Sequence, residues 1–259
     1  MSTAGWDLAL IGIESVPVVL IVALLGAWLS LDETSLGQTW IGQPLPAATL
    51  TAWLLGEPSV GLLIGLPFQL VTLGNLPVGQ SFLGDKSAAV VGVVAAAVMT
   101  GFLDDALNSA VLRPGPGSGR IGWLLILLAL ASLASHRLVK LERSWRVGWG
   151  TLTLRSIRDG GTGHLDRVQG MSLAVTGLRG AGTALAIFWL AKTVWQPGFN
   201  DLPLRWHDGL EMLPWLTPAV GLGALADLYA SRAGVRWMVG AFVLTLALVW
   251  VAAWRGMGA

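Results

Sequence analysis

The chain has 259 residues, of which 54% are hydrophobic and only 12% are charged, and its mean hydropathy is +0.68. Its 16 Lys and Arg residues against 15 Asp and Glu residues leave a net charge of +1, which offers no basic field for nucleic acid. The absence of cysteine excludes disulfides, thiolate metal sites and cysteine nucleophiles. This composition indicates an integral membrane protein.

Apolar runs long enough to cross a bilayer recur along the chain. A transmembrane helix needs about 20 mostly apolar residues. We therefore predict an all-α, polytopic membrane protein with about seven spans and additional re-entrant or broken hairpins. The candidate spans are residues 8–31, 45–66, 87–103, 121–134, 171–194, 210–229 and 235–254.

The ionisable residues within these predicted spans include Glu14, Arg179 and Asp227. A charge at membrane depth needs a partner or a wet surface. Either Arg179 or Asp227 could be the partner of Glu14. For Arg179 we favour structural charge pairing over contact with a substrate, and the glycines around it predict close helix packing.

Residues 32–86 lie between apolar runs but are polar and rich in Gly and Pro. Broken backbone at membrane depth is tolerated where it is buried in protein or lines a wet cavity. We predict a re-entrant element at 65–85, whose carboxamides and carboxylate could bind the hydroxyls of a neutral polyol. The alternative is that these side chains cap their own turns, with Asp85 as the N-cap of the next helix. The polar side chains of this region include Asp32, Gln38, Gln69, Asn75 and Asp85.

Residues 113–120 form a Pro- and Gly-rich linker by composition, and predict a boundary between two membrane halves, 1–112 and 121–259. The second half contains a basic segment, 136–170, which the positive-inside rule places in the cytoplasm. Its first part, 136–147, is predicted to continue the preceding span as an amphipathic helix. That helix is either an anchor on anionic lipid headgroups or a docking surface for a soluble partner.

Tryptophans concentrate near the ends of the apolar runs, where indoles typically lie at the membrane interface. Trp40 and Trp53 lie instead beside the polar region. Interfacial anchoring is the preferred interpretation for each of them, and stacking on a sugar ring is the alternative.

Four motifs of Gly, Pro, Gln and Asp follow one another in the polar region. They are Leu31-Asp32-Glu-Thr-Ser-Leu-Gly-Gln38, Gln43-Pro-Leu-Pro-Ala-Ala-Thr-Leu50, Leu54-Leu-Gly-Glu-Pro-Ser-Val-Gly61 and Gly65-x3-Gln69-x4-Gly74-x2-Pro77-Val-Gly79-x5-Asp85. Their order and spacing resemble those of the enzyme IIC membrane component of the mannose/fructose/sorbose family of sugar phosphotransferase systems. A weaker similarity lies at 216–225.

The resemblance implies a multi-pass permease subunit of the bacterial inner membrane that moves a hexose-type sugar by an elevator-type displacement. It implies a IID membrane partner and soluble IIB and IIA components that phosphorylate the sugar, with no cofactor and no phosphoryl-transfer residue in this chain. A homo-oligomer is left open. The histidines His136, His164 and His207 are expected in connecting segments. Carried over by motif, the sugar-contacting residues are Asp32, Gln38, Gln69, Asn75 and Asp85, and departures at 69, 75 and 77 leave the sugar open.

Two other functions stay open at this point. The chain could be a membrane assembly or regulatory protein that retains the fold without transporting. It could also be an ion-coupled symporter that uses Glu14, Asp32 or Asp85 as titrating groups. No P-loop and no zinc-binding His-Glu-x2-His helix occurs in the sequence.

Overall fold

The computed structural model describes residues 15–34, 39–73, 84–108, 116–158 and 165–228, together with 236, 239, 240 and 243. The regular structure in these ranges is helical, which confirms the all-α prediction. In chain order the helices are α1 (Ser15–Thr34), α2 (Pro44–Leu54), α3 (Pro58–Val71), α4 (Lys86–Thr100), α5 (Asp104–Asn108), α6 (Pro116–Arg158), α7 (Leu165–Leu190), a π-helical segment (Ala191–Trp195), α8 (Gln196–Gly198) and α9 (Leu204–Leu228).

Residues 45–66 form a helical hairpin and not the single span that their hydropathy predicts. α2 and α3 pack against each other, and the chain reverses between them at Gly56, which has a φ of +93°. Pro58 begins α3, where a missing backbone N–H costs nothing. Both helices of the hairpin are apolar, so the mean hydropathy of residues 45–66 does not reveal the turn between them.

α4 lies at the centre of the described bundle. It contacts α1, α2, α6 and α7, and every residue from Lys86 to Ala97 is buried. Most of these residues are Ala or Val. Small side chains allow the four neighbouring helices to approach the α4 backbone closely.

α1 and α7 cross at two glycines. A Cβ atom on Gly26 would lie 2.6 Å from Cβ of Ala184 and 2.8 Å from the carbonyl oxygen of Gly180. No side chain fits between these backbones. The prediction that small residues beside Arg179 permit close packing is therefore confirmed, and this crossing brings α1 and α7 together next to α4.

α6 has 43 residues. At a rise of 1.5 Å per residue it is about 64 Å long, roughly twice the thickness of the hydrocarbon core. The predicted continuation of this helix through 136–147 is confirmed, and the helix extends further to Arg158. His136 and His207 consequently lie within α6 and α9 and not in connecting segments.

By length and composition, Gly117–Arg155 and Leu165–Gly198 could each cross a membrane, and Val16–Asp32, Pro58–Val71 and Lys86–Thr100 are shorter apolar helices. The number of spans stays a prediction. α6 begins at Pro116, so most of the proposed linker 113–120 is helical. Proline is accepted in the first turn of a helix, so a segment rich in Pro and Gly can be either a helix start or a loop.

Candidate functional site

Asp85 lies at the N-terminus of α4 and caps it. Its Oδ1 accepts hydrogen bonds from the backbone N–H of Ala88 and from the hydroxyl of Ser87, both at 3.0 Å. These bonds satisfy donors that the first turn of a helix leaves without intrahelical partners. The N-cap role that the sequence offered as one alternative is therefore present.

The other oxygen of Asp85 joins α4 to its neighbours. Oδ2 accepts from the hydroxyl of Ser30 on α1 at 2.9 Å and forms an ion pair with Arg179 on α7. The backbone N–H of Asp85 donates to the hydroxyl of Ser135 on α6 at 2.8 Å. The residue is 0% exposed. With two donors on each oxygen, its four lone-pair positions are occupied.

The position directly before Asp85 can hold only a glycine. Gly84 has a φ of +76°, and a Cβ atom there would collide with the backbone carbonyl of Ser132 on α6. The chain can therefore enter α4 only by passing directly over α6.

Glu142 on α6 is the second carboxylate near Arg179. Its Oε2 pairs with Nε of Arg179, and its Oε1 pairs with Arg146 one turn later and accepts from the hydroxyl of Thr176. We call Asp85, Glu142, Arg146 and Arg179 the charge cluster. It contains two carboxylates and two guanidinium groups, so its formal charge is zero. Pairing of this kind is what allows ionised groups to remain buried.

The partners that the structure describes for Arg179 are two carboxylates that the sequence did not link to it. It pairs with Asp85 and Glu142, whereas Glu14 lies outside the described residues and the side chain of Asp227, on α9, is also outside them. Sequence reasoning missed Glu142 because it lies in a basic segment, where a carboxylate resembles a surface counter-charge. Its spacing of four from Arg146 was the available signal, since such pairs share one helix face.

Asp32 stabilises the turn between α1 and α2. Its Oδ1 accepts from the backbone N–H and the hydroxyl of Thr39, at 2.9 and 2.6 Å, and its Oδ2 accepts from the backbone N–H of Gly42 at 3.1 Å. The turn includes Trp40, whose φ of 68° is unusual for a residue with a side chain. The backbone N–H of Ile41 is a fourth donor to this carboxylate, so the four lone-pair positions of Asp32 are occupied.

Gln69, near the end of α3, holds the start of α2. Its Oε1 accepts from the backbone N–H of Leu45 at 3.3 Å, one of the donors left open at a helix N-terminus. The side chain is half-buried. Within the described ranges no hydrogen bond uses its Nε2.

The structure brings the three described candidates to one end of the bundle. Asp32 and Gln69 bond to Gly42 and Leu45, which are three residues apart, and Asp85 bonds to Ser30, two residues before Asp32. Gln38 and Asn75 lie outside the described residues. Trp40 and Trp53 are exposed. The arrangement therefore provides a carboxamide and indole faces, which are groups that bind hydroxyls and sugar rings.

In the ranges that the structure describes, no group of three His, Asp or Glu side chains could hold a metal ion. The carboxylates are engaged with guanidinium groups, hydroxyls and backbone N–H groups instead.

One protein family matches most of the chain. The family model described as "PTS system sorbose-specific iic component" matches residues 16–254. A comparison with curated proteins gave no match.

Two solved structures have a similar course of the chain. A chain titled "Structure of membrane protein" is 18% identical, with a TM-score of 0.64 over 93% of this chain and 94% of that chain. A chain of the mannose transporter ManYZ in complex with microcin E492 is 19% identical, with a TM-score of 0.46 over 89% of this chain and 86% of that chain. At this identity the first of them shows a shared fold.

Proposed function

Because the family match covers residues 16–254, this chain belongs to the sorbose-specific IIC component family of phosphotransferase systems, and we propose that it is the permease subunit that binds and translocates a hexose-type sugar. It would act in the bacterial inner membrane as a multi-pass protein with a IID partner subunit. Soluble IIB and IIA components would supply the phosphoryl group. The family match is the observation that supports this proposal most strongly.

We assign sugar contact first to Gln69. Its Nε2 has two donors that no hydrogen bond described here uses, and its Oε1 is held by Leu45, so the amide group is oriented before a ligand arrives. Asp32 would accept from a sugar hydroxyl only in exchange for one of the bonds that Thr39, Ile41 and Gly42 donate to it. Gln38 and Asn75 complete the proposed set by their place in the motif.

Asp85 would contribute mainly by holding the helices around the sugar site in position. Its oxygens are occupied by Ser30, Ser87, Ala88 and Arg179, so binding a hydroxyl there would require one of these bonds to break. The charge cluster joins α4, α6 and α7, and would make them move as one body when the sugar is translocated. A neutral sugar needs no counter-ion, which leaves Arg179 to its two carboxylates.

The test follows labelled hexoses in cells that express this chain with and without the IID, IIB and IIA components. We expect sugar phosphate to accumulate only with the complete set. Free sugar accumulating with a dependence on pH would instead indicate an ion-coupled symporter. Absence of sugar binding in the complete set would indicate an assembly or regulatory role.

Gln69 is tested by two variants. Gln69→Ala removes donors and acceptor, whereas Gln69→Glu keeps an acceptor for Leu45 and loses the amide donors. We expect both to weaken sugar binding by about tenfold or more, because each hydrogen bond lost in a desolvated site costs about 1–3 kcal/mol. Normal binding by both variants, with normal expression, would refute the assignment.

A further inference from the structure

A groove of about 730 Å³ runs between α6 and α7. These helices belong to the two segments long and apolar enough to cross a membrane. Most of the side chains along the groove are aliphatic. They include Leu127, Ala131, Ala134, Leu178, Ile187 and Leu190.

Two tryptophans close one end of the groove. The rings of Trp123 and Trp195 are stacked with centroids 4.3 Å apart. The indole N–H of Trp123 donates to the carbonyl of Trp195 at 2.7 Å, and that of Trp195 donates to the carbonyl of Trp123 at 3.0 Å. The groove therefore starts at this clamp and extends towards the basic half of α6.

The positions of the charged residues on α6 indicate the depth at which the groove lies in a bilayer. Arg120 and Arg137 flank its apolar part with no other Lys, Arg, Asp or Glu between them. The two arginines are 17 positions apart, which corresponds to about 26 Å of helix, close to the thickness of the hydrocarbon core of about 30 Å. Arg137 therefore lies at headgroup level, and the groove crosses that level because Leu138 and Trp145 also line it.

The segment of α6 beside the groove is rich in cations at this level. From Ser135 to Arg146, α6 has four Lys or Arg residues and a single carboxylate, Glu142, which is neutralised by Arg146 and Arg179. Arg137 is exposed and precedes the lining residue Leu138. Arg146 is 27% exposed, and its Nε has no hydrogen-bond acceptor among the described residues.

Thr183 on α7 is a second, independent indication of a ligand. It lines the groove, is 7% exposed, and its hydroxyl has no hydrogen-bond partner in the described part of the chain. A buried hydroxyl without a partner is costly. It lies one turn of α7 from Arg179, towards the apolar part of the groove.

We propose that this groove binds an anionic phospholipid of the cytoplasmic leaflet. One acyl chain lies along the aliphatic part between α6 and α7. The ester carbonyl of the lipid accepts a hydrogen bond from Thr183, and its phosphate lies beside Arg137. The occupant is anionic because Arg137 is exposed next to the lining residue Leu138, and because Glu142, the carboxylate that lines the groove in the described residues, is paired with Arg146 and Arg179. Basic surfaces between membrane helices bind such headgroups.

The experiment is native mass spectrometry of the purified full chain in detergent, titrated with phosphatidylglycerol or phosphatidylcholine that have the same acyl chains. We expect phosphatidylglycerol to bind at least fivefold more tightly. Arg137→Gln should weaken it about fivefold, the effect of one cation at a headgroup. Arg143→Gln is the matched control, because it removes the same charge from another face of α6 and should leave binding unchanged.

Three further variants distinguish lipid binding in the groove from general contact between lipid and the protein surface. Ala134→Trp places a large ring in the groove and should abolish binding of both lipids, whereas Leu133→Trp, on an exposed position outside the groove, should not. Thr183→Val preserves shape and removes the hydroxyl, so it should weaken both lipids without unfolding the protein. The thermal midpoint of each variant is measured in parallel.

Three results would overturn the proposal. Equal binding of the two lipids would remove the headgroup preference. An equal loss in Arg143→Gln and Arg137→Gln would show that only the overall charge matters. A second copy or a partner subunit that shields Ala134 from lipid would show that protein, and not lipid, covers the groove.

Discussion

Glu142→Gln tests whether the charge cluster stabilises the bundle. The substitution keeps the size of the side chain and one acceptor oxygen, and removes the negative charge between Arg146 and Arg179. Glu142 is 6% exposed, and the side chain of Arg179 is 8% exposed. The lost charge therefore leaves a buried guanidinium group with only Asp85 as its counter-ion.

The magnitude follows from the burial of each pair. Breaking a buried ion pair costs about 3–5 kcal/mol, and because Arg179 retains Asp85 we expect the low end, about 3 kcal/mol. The pair with Arg146 contributes less than about 1 kcal/mol, since Arg146 is 27% exposed and partly solvated. For a chain of this size, about 3 kcal/mol corresponds to a Tm lower by about 6–12 °C.

The assay is thermal unfolding in detergent, followed by tryptophan fluorescence. Glu57→Gln is the matched control, because it makes the same chemical change at the exposed turn between α2 and α3 and should change stability by less than about 0.5 kcal/mol. A double variant, Glu142→Gln with Arg179→Gln, should be less destabilised than the sum of the single changes. If Glu142→Gln lowers the Tm no more than Glu57→Gln, or if the double variant is additive, the cluster does not stabilise the fold as argued.

Three further predictions concern the entry to α4 and the sugar site. Asp85→Asn keeps the cap on Ala88 and loses the charge, so it should be more stable than Asp85→Ala by about 1 kcal/mol in the same unfolding assay; equal stability would contradict the N-cap. Gly84→Ala should be destabilised by at least about 2 kcal/mol through its positive φ and the collision with α6, whereas Gly148→Ala, in an open position of α6, should be neutral or more stable; similar effects would refute the close approach. Gln69→Glu should bind sugar at least about tenfold more weakly by isothermal titration while its Tm stays near that of the parent chain, and a large fall in Tm would indicate a structural role instead.

Much of the class of the protein could be predicted from the sequence. Long apolar runs and few charges require helices in a bilayer, since only helices or closed barrels satisfy backbone groups there. The continuation of α6 beyond 136 follows from the three-residue spacing of its basic residues, and the capping role of Asp85 follows from its position before an apolar run. These patterns are local, because each of them extends over only one or two helical turns.

Hydropathy does not predict the number of helices where two apolar helices follow each other directly. The segment 45–66 has the composition of a span, yet the chain turns back at Gly56. The sequence around the turn contains Gly, Glu and Pro, and these residues indicate a break. Whether such a break makes a kink or a reversal depends on what the two arms pack against, and α2 and α3 pack against each other.

The sequence by itself determined that this is a helical membrane protein, which polar residues lie in its broken region, and the motif by which it resembles its family. Only the tertiary structure decided which charges pair. Arg179 is 94 residues from Asp85 and 37 from Glu142, and no local pattern links them. A buried charge requires a counter-ion, but the identity of that counter-ion depends on which helices cross, and the crossing of α1, α4, α6 and α7 is a property of the packed bundle.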